Sequence, residues 1–202
     1  MTKIKLCGLS RFCDIEAANE LMPDYIGFVF AEESKRYVTP EKAKGLKQLL
    51  VREIQAVGVF VNETPEQIAE LLNKGIIDIA QLHGDEDEDY IRHLRELTDK
   101  PIIKAFRIET AVDTLKAEQS TADYVLLDSG AGTGSEFDWS LIRDFKRPFF
   151  LAGGLSLDNV KNAIQQLTPY AVDVSSGIET DGYKDKEKMA AFINAVRKED
   201  RL

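Results

Sequence analysis

The chain is poor in the residues that staple a fold or ligate a metal. Its 202 residues include two cysteines, Cys7 and Cys13, and two histidines, His83 and His93. Two thiols cannot build a disulfide framework or a cysteine zinc site, and a chain of this length buries roughly 70% of its unfolded surface without such aids. No apolar run approaches the roughly 18 residues that cross a bilayer. The first residues, Met1-Thr2-Lys3-Ile4-Lys5-Leu6-Cys7, are too few and too charged for a signal peptide, which predicts a cytoplasmic chain with reduced thiols. Low-complexity stretches and Pro/Gly/Ser-rich linkers are missing, so one domain over residues 1–202 is expected. Positive charge is in deficit: 26 Lys and Arg against 35 Asp and Glu leave −9. That charge repels phosphate polymers and anionic membranes, so no nucleic-acid or membrane partner is expected. A small anion held by local groups is still allowed.

What the chain does have is a recurring unit. Short β-rich apolar runs begin at Lys3, Tyr25, Gln55, Ile77, Pro101, Tyr124, Phe149 and Ala171, about 22 to 30 residues apart. Most are continuously apolar, the mark of strands buried on both faces of a parallel sheet. Amphipathic segments separate them. Thr39-Pro40-Glu41-Lys42 and Thr64-Pro65-Glu66-Gln67 have the cap-then-proline start of a helix, and Gln67 is expected to close a capping box with Thr64. Val160, Ala163, Ile164 and Leu167 form one stripe, as do Met189, Phe192, Ile193 and Val196. The segment after Asp138 is the shortest. Eight units at about 25 residues each suit a single-domain (β/α)8 barrel near its lower size limit. An open doubly wound sheet would carry a Gly-rich fingerprint after its first strand; here that position reads Leu6-Cys7-Gly8-Leu9-Ser10-Arg11.

In such a barrel the active site forms at the C-terminal ends of the strands. The groups there are Cys7, Arg36, Asn62, Gln81, His83, Arg107, Asp128, Gly153-Gly154 and Ser175-Ser176-Gly177. The last two turns follow the seventh and eighth runs, where backbone N–H groups and hydroxyls can cradle a phosphate; each could also be only a tight turn. Backbone dipoles act locally, so the acidic net charge does not bar an anion there. Cys7 is either a small buried hydrophobe or, as thiolate, a base. Asp128 is either a turn former or an acid kept protonated by desolvation. His83 is either structural or a substrate contact, and His93 lies on a charged helix. Gly130-Ala131-Gly132-Thr133-Gly134, with Phe137 and Trp139 after it, reads as a hinged cover better than as a nucleotide loop. The acidic run Asp85–Asp89 reads as a first helical turn.

Seven stretches in order resemble the phosphoribosylanthranilate isomerase family of tryptophan biosynthesis. They are Lys5-Leu6-Cys7-Gly8-Leu9, Gly27–Phe30 with Ser34–Pro40, Val57–Asn62, Gln81-Leu82-His83-Gly84, Leu127-Asp128 with Gly132–Gly134 and Phe137–Trp139, Leu151–Leu155, and Val172–Glu179. The resemblance implies an Amadori rearrangement of phosphoribosylanthranilate without metal or other cofactor. It makes Asp128 the general acid on the furanose ring oxygen and Cys7 the general base at C2. Arg36 becomes the partner of the anthranilate carboxylate, and Gly153, Gly154, Ser175, Ser176 and Gly177 the phosphate cradle; Gln81 and His83, by their place at the mouth, are expected as substrate contacts. Lys35 and Ser10 depart from the family pattern without touching these roles. A monomer is expected, because no helix shows a second apolar face. Other readings are a related small-barrel sugar-phosphate isomerase or synthase, disfavoured by Cys7 at the first strand's end and by the lack of an early-strand lysine there, and a non-enzymatic phospho-ligand module on an α/β sheet.

Overall fold

A computed structural model describes residues 1–128 and 139–199. Eight parallel strands close into a barrel: β1 (Lys3–Cys7), β2 (Tyr25–Val29), β3 (Gln55–Phe60), β4 (Ile79–Leu82), β5 (Ile102–Arg107), β6 (Tyr124–Asp128), β7 (Phe149–Ala152) and β8 (Ala171–Val174). Each pairs with its sequence neighbour, and β8 returns to β1 with Lys5 opposite Asp173. Continuous burial along most strands explains why their sequences do not alternate: one face meets the helices and the other fills the barrel. The fourth run starts two residues later than the sequence suggests, since Ile76 and Ile77 are buried in the connection before β4.

Outside the strands lie α1 (Phe12–Leu21), α2 (Pro40–Leu49), α3 (Pro65–Asn73), α4 (Glu88–Leu97), α5 (Ala111–Gln119), α6 (Val160–Leu167) and α7 (Lys186–Glu199). Thr39 and Thr64 cap α2 and α3 as expected, each accepting from the N–H three residues on. The reciprocal half of the second cap differs, because Glu63 rather than Gln67 takes the Thr64 N–H at 2.8 Å. After β6 the helix position holds a 3-10 turn, Trp139–Leu141, with Trp139 packed on the core. The glycines from Gly130 to Gly134 and Phe137, assigned to a cover by sequence, lie outside the described residues. A two-stranded ribbon, β9 (Glu179–Thr180) with β10 (Tyr183–Lys184), follows β8 and was not legible in the sequence.

The acidic run Asp85–Asp89 does more than start a helix. Asp87 caps α4, but the Glu86 side chain is nearly inaccessible and meets Lys104 of β5 at 2.8 Å. It also accepts N–H bonds from Asn62 and Gly84. Burial opposes its ionisation, yet Lys104 and these donors prevail and hold its pKa below the ordinary 4.5. Removing one partner of a buried pair strands the other charge, so Lys104→Met is expected to cost about 3–5 kcal/mol at pH 7. Because the folded pKa is depressed, the stability from Glu86 is present above 4.5 and lost as pH falls through the folded value. Urea unfolding of both proteins should therefore show a gap that narrows on acidification; equal midpoints at pH 7 would mean the pair contributes nothing.

Candidate active site

Residues of one parity along the strands point into the barrel, and they form layers. At the base, Tyr25, Ile79, Ile103, Phe150 and Ala171 pack together, with Phe150 against Tyr25 at 5.5 Å between centroids. At the mouth, Cys7, Val29 and Val59 make a small apolar cluster. Between these layers sits a polar one: Lys5, Gln81 and Asp173, all buried. Lys5 Nζ donates to Asp173 Oδ2 at 2.8 Å and to Gln81 Oε1 at 2.9 Å. Its burial opposes the charge, but Asp173 and Cys7 outweigh that and raise its pKa above the usual 10.5. Lysine and aspartate at alternate places in apolar runs, Ile4-Lys5-Leu6 and Val172-Asp173-Val174, share the parity of Cys7; that was a readable signal, and sequence reasoning passed over it.

Above this layer opens a cavity of about 390 Å³. It is lined by nine of the ten residues expected at the site: Cys7, Arg36, Gln81, His83, Asp128, Gly153, Gly154, Ser175 and Ser176. Asn62 and Arg107, also at strand ends, turn elsewhere; Arg107 pairs with Glu109 at 2.7 Å and Asn62 meets the Asp85–Glu86 turn. Gly177, the tenth, acts by what it lacks. A Cβ there would lie 2.1 Å from the Leu155 carbonyl oxygen, so glycine lets the turns after β7 and β8 touch. Gly153 and Gly154 take left-handed backbone at φ 89° and 65°, which sets the path of that turn.

Cys7 lies at the end of β1, walled by Gly27, where a Cβ would come 2.7 Å from its Sγ. Burial pushes its thiol above the usual 9.0; Lys5 below and Lys184 beside it pull the other way without cancelling that push. The Ser175 hydroxyl donates to the Cys7 carbonyl at 3.1 Å, so it fastens the strand end that carries the thiol. Asp128 ends β6, with β7 and β8 and their glycine and serine turns between it and Cys7. Its Oδ2 is 3.2 Å from His83 Nε2, and His83 Nδ1 is 2.8 Å from Gln81 Nε2. Cys13 is exposed in α1 and takes no part in the cavity.

Arg36 reaches the mouth from the loop after β2, but its guanidinium fork is held by a carboxylate of the same chain. Nε and the terminal nitrogen meet the two oxygens of Glu179 at 2.6 and 2.8 Å. Lys184 meets the same carboxylate at 2.5 Å. Burial disfavours the Glu179 charge, but its two cationic partners keep its pKa below 4.5. The sequence offered no signal for this Arg36–Glu179–Lys184 group, because the ribbon that presents Glu179 and Lys184 was itself unseen. Val29, Ala31, Val59 and Val61 give the cavity an apolar wall.

Chemically, the mouth offers a thiol and a carboxyl on well-separated strands, an apolar wall beside a guanidinium, and two glycine-bearing turns. A family profile described as N-(5'-phosphoribosyl)anthranilate (PRA) isomerase matches residues 4–195. The N-(5'-phosphoribosyl)anthranilate isomerase of Caldanaerobacter subterraneus is 46% identical over 204 residues, covering 98% of both chains. A structure of monomers of the dimeric phosphoribosylanthranilate isomerase from Thermotoga maritima superposes with a TM-score of 0.87 at 37% identity, covering 98% of this chain and 100% of that one. A phosphoribosyl anthranilate isomerase structure in complex with reduced 1-(o-carboxyphenylamino)-1-deoxyribulose 5-phosphate gives 0.86 at 36% identity with the same coverage.

Proposed function

This chain belongs to the N-(5'-phosphoribosyl)anthranilate isomerase family and is an isomerase of tryptophan biosynthesis, and we propose that it works by a general acid, Asp128, and a general base, Cys7, at opposite reaches of one cavity. The observation that carries the reading is their joint presence at the mouth with the two phosphate-suited turns between them. Asp128 gives its proton to the furanose ring oxygen as the C1–O bond breaks, and the anthranilate nitrogen lone pair forms the C1=N bond of a protonated Schiff base. Cys7 thiolate then takes the C2 proton. The C2–H electron pair becomes the C1=C2 bond of an enolamine and the iminium pair returns to nitrogen. Ketonisation at C2, with a proton arriving at C1, completes the Amadori product. No electron enters or leaves, and acid–base groups suffice.

The remaining groups bind. The turns carrying Gly153, Gly154 and Ser176 present backbone N–H groups to the phosphate, and Gly177 keeps those turns together. The aryl ring lies on the wall of Val29, Ala31, Val59 and Val61, with its carboxylate toward Arg36. Ser175 serves by holding Cys7 in place. A base that must stay a thiol suits the reducing cytoplasm. The acidic net charge suits a small-molecule partner and neither nucleic acid nor membrane. No described helix is long and apolar enough to cross a membrane.

The direct test is turnover of phosphoribosylanthranilate generated in situ, followed by the loss of its fluorescence; no turnover would overturn the reading. Arg36→Ala is expected to raise KM about tenfold with little change in kcat. A charge-assisted fork is worth roughly 1.5–3 kcal/mol, and part of that already goes to Glu179 in the free enzyme. An unchanged KM would remove Arg36 from carboxylate binding.

A further inference from the structure

The buried polar layer is joined to the proposed acid by one continuous run of hydrogen bonds, and chemistry allows that run only one polarity. Lys5 Nζ, fully buried, can only donate, so the Gln81 oxygen 2.9 Å away must accept. That fixes the amide: its other end, the NH2, faces His83 Nδ1 at 2.8 Å. An amide NH2 also only donates, so Nδ1 carries no proton. The ring proton is then on Nε2, which donates to Asp128 Oδ2 at 3.2 Å. We infer that Lys5, acting through Gln81, locks His83 in the Nε2–H tautomer, and that this lock holds the Asp128 carboxyl in the orientation in which it works. The inference rests on Asp128 being the acid.

With Nε2–H donating to it, Asp128 Oδ2 accepts in this arrangement. Protonating Nδ1 would set an N–H against the Gln81 NH2. Turning the Gln81 amide over relieves that clash only by placing its NH2 against the Lys5 ammonium, which Asp173 keeps charged. Gln81 has both ends of its amide engaged, with the residue 1% exposed, so it acts on the site as a positioning residue through His83.

The test begins with the enzyme itself. His93, the other histidine, is exposed on α4, so His93→Gln leaves one imidazole to observe by 15N NMR. His83 should show an unprotonated Nδ1 and a protonated Nε2; a protonated Nδ1 would overturn the inference. Gln81→Glu keeps an acceptor for Lys5 but presents a second acceptor to His83, so its Nδ1 should become protonated. Its kcat should then fall about tenfold to a hundredfold with KM within about twofold; a wrong imidazole tautomer costs as much as ~10⁴ where histidine is itself the base. A bare Nδ1 in Gln81→Glu, or a protonated one with unchanged kcat, would equally overturn it. Should Gln81→Glu not fold, the spectrum of His93→Gln still decides. Failure of the acid reading looks different: Asp128→Asn would then turn over normally while the His83 signals stayed as stated.

Discussion

Asp128→Asn is expected to lower kcat by about 10³-fold, with KM changed little and the fold intact. Asparagine has nearly the same shape and keeps an oxygen to accept from His83 Nε2, now 3.2 Å from Asp128 Oδ2. What it loses is the one thing the first step needs, a proton that can leave for the ring oxygen. General acid catalysis is worth roughly 10²–10⁴, and here the acid acts on an ether oxygen that leaves poorly without it, so the upper half of that range applies. Circular dichroism and thermal unfolding should match the wild type, which separates loss of chemistry from loss of structure. A kcat within about tenfold of wild type would move the acid role to another group at the mouth.

The parts of this molecule that were legible beforehand are those in which local sequence and tertiary position say the same thing. Runs such as Val125-Leu126-Leu127 are apolar at every position because both faces of a barrel strand are buried, and that fixed both the fold and the strand ends. Once the ends were known, position made Cys7, Asp128 and the turns at Gly153 and Ser176 candidates, the family resemblance gave them roles, and all line one cavity. Long-range pairing was the opaque part. Lys5 and Asp173 are 168 residues apart and meet only because β8 closes on β1. Arg36 and Glu179, 143 residues apart, meet through a ribbon of two-residue strands too short for any periodicity to show. Glu86 was hidden differently: in an acidic run its neighbours face solvent, and only its ion pair with Lys104 singles it out.

Cys7→Ser should be the more damaging of the two substitutions, lowering kcat by about 10³-fold or more. Serine fits the space left by Gly27, so packing survives, but its hydroxyl ionises far outside the working range and no base stands beside it to take its proton. The Lys5 ammonium below donates to Gln81 and Asp173 and offers no acceptor. The wild-type profile supplies a second signature. Burial raises the Cys7 thiol above 9.0 against the pull of Lys5 and Lys184, so the thiolate is the minor form at neutral pH. Below that ionisation each pH unit brings about ten times more thiolate, and kcat should still be climbing past pH 8, whereas the residual rate of Cys7→Ser should lack that climb. Folding carries the opposite sign. A folded pKa above the unfolded one stabilises fully below the unfolded value, and that contribution is lost as pH rises through the folded one. The alkaline range that frees the base therefore also withdraws a little stability, and Cys7→Ser should remove both trends together. A serine variant with near-normal turnover, or with the same alkaline climb, would show that the proton at C2 goes elsewhere.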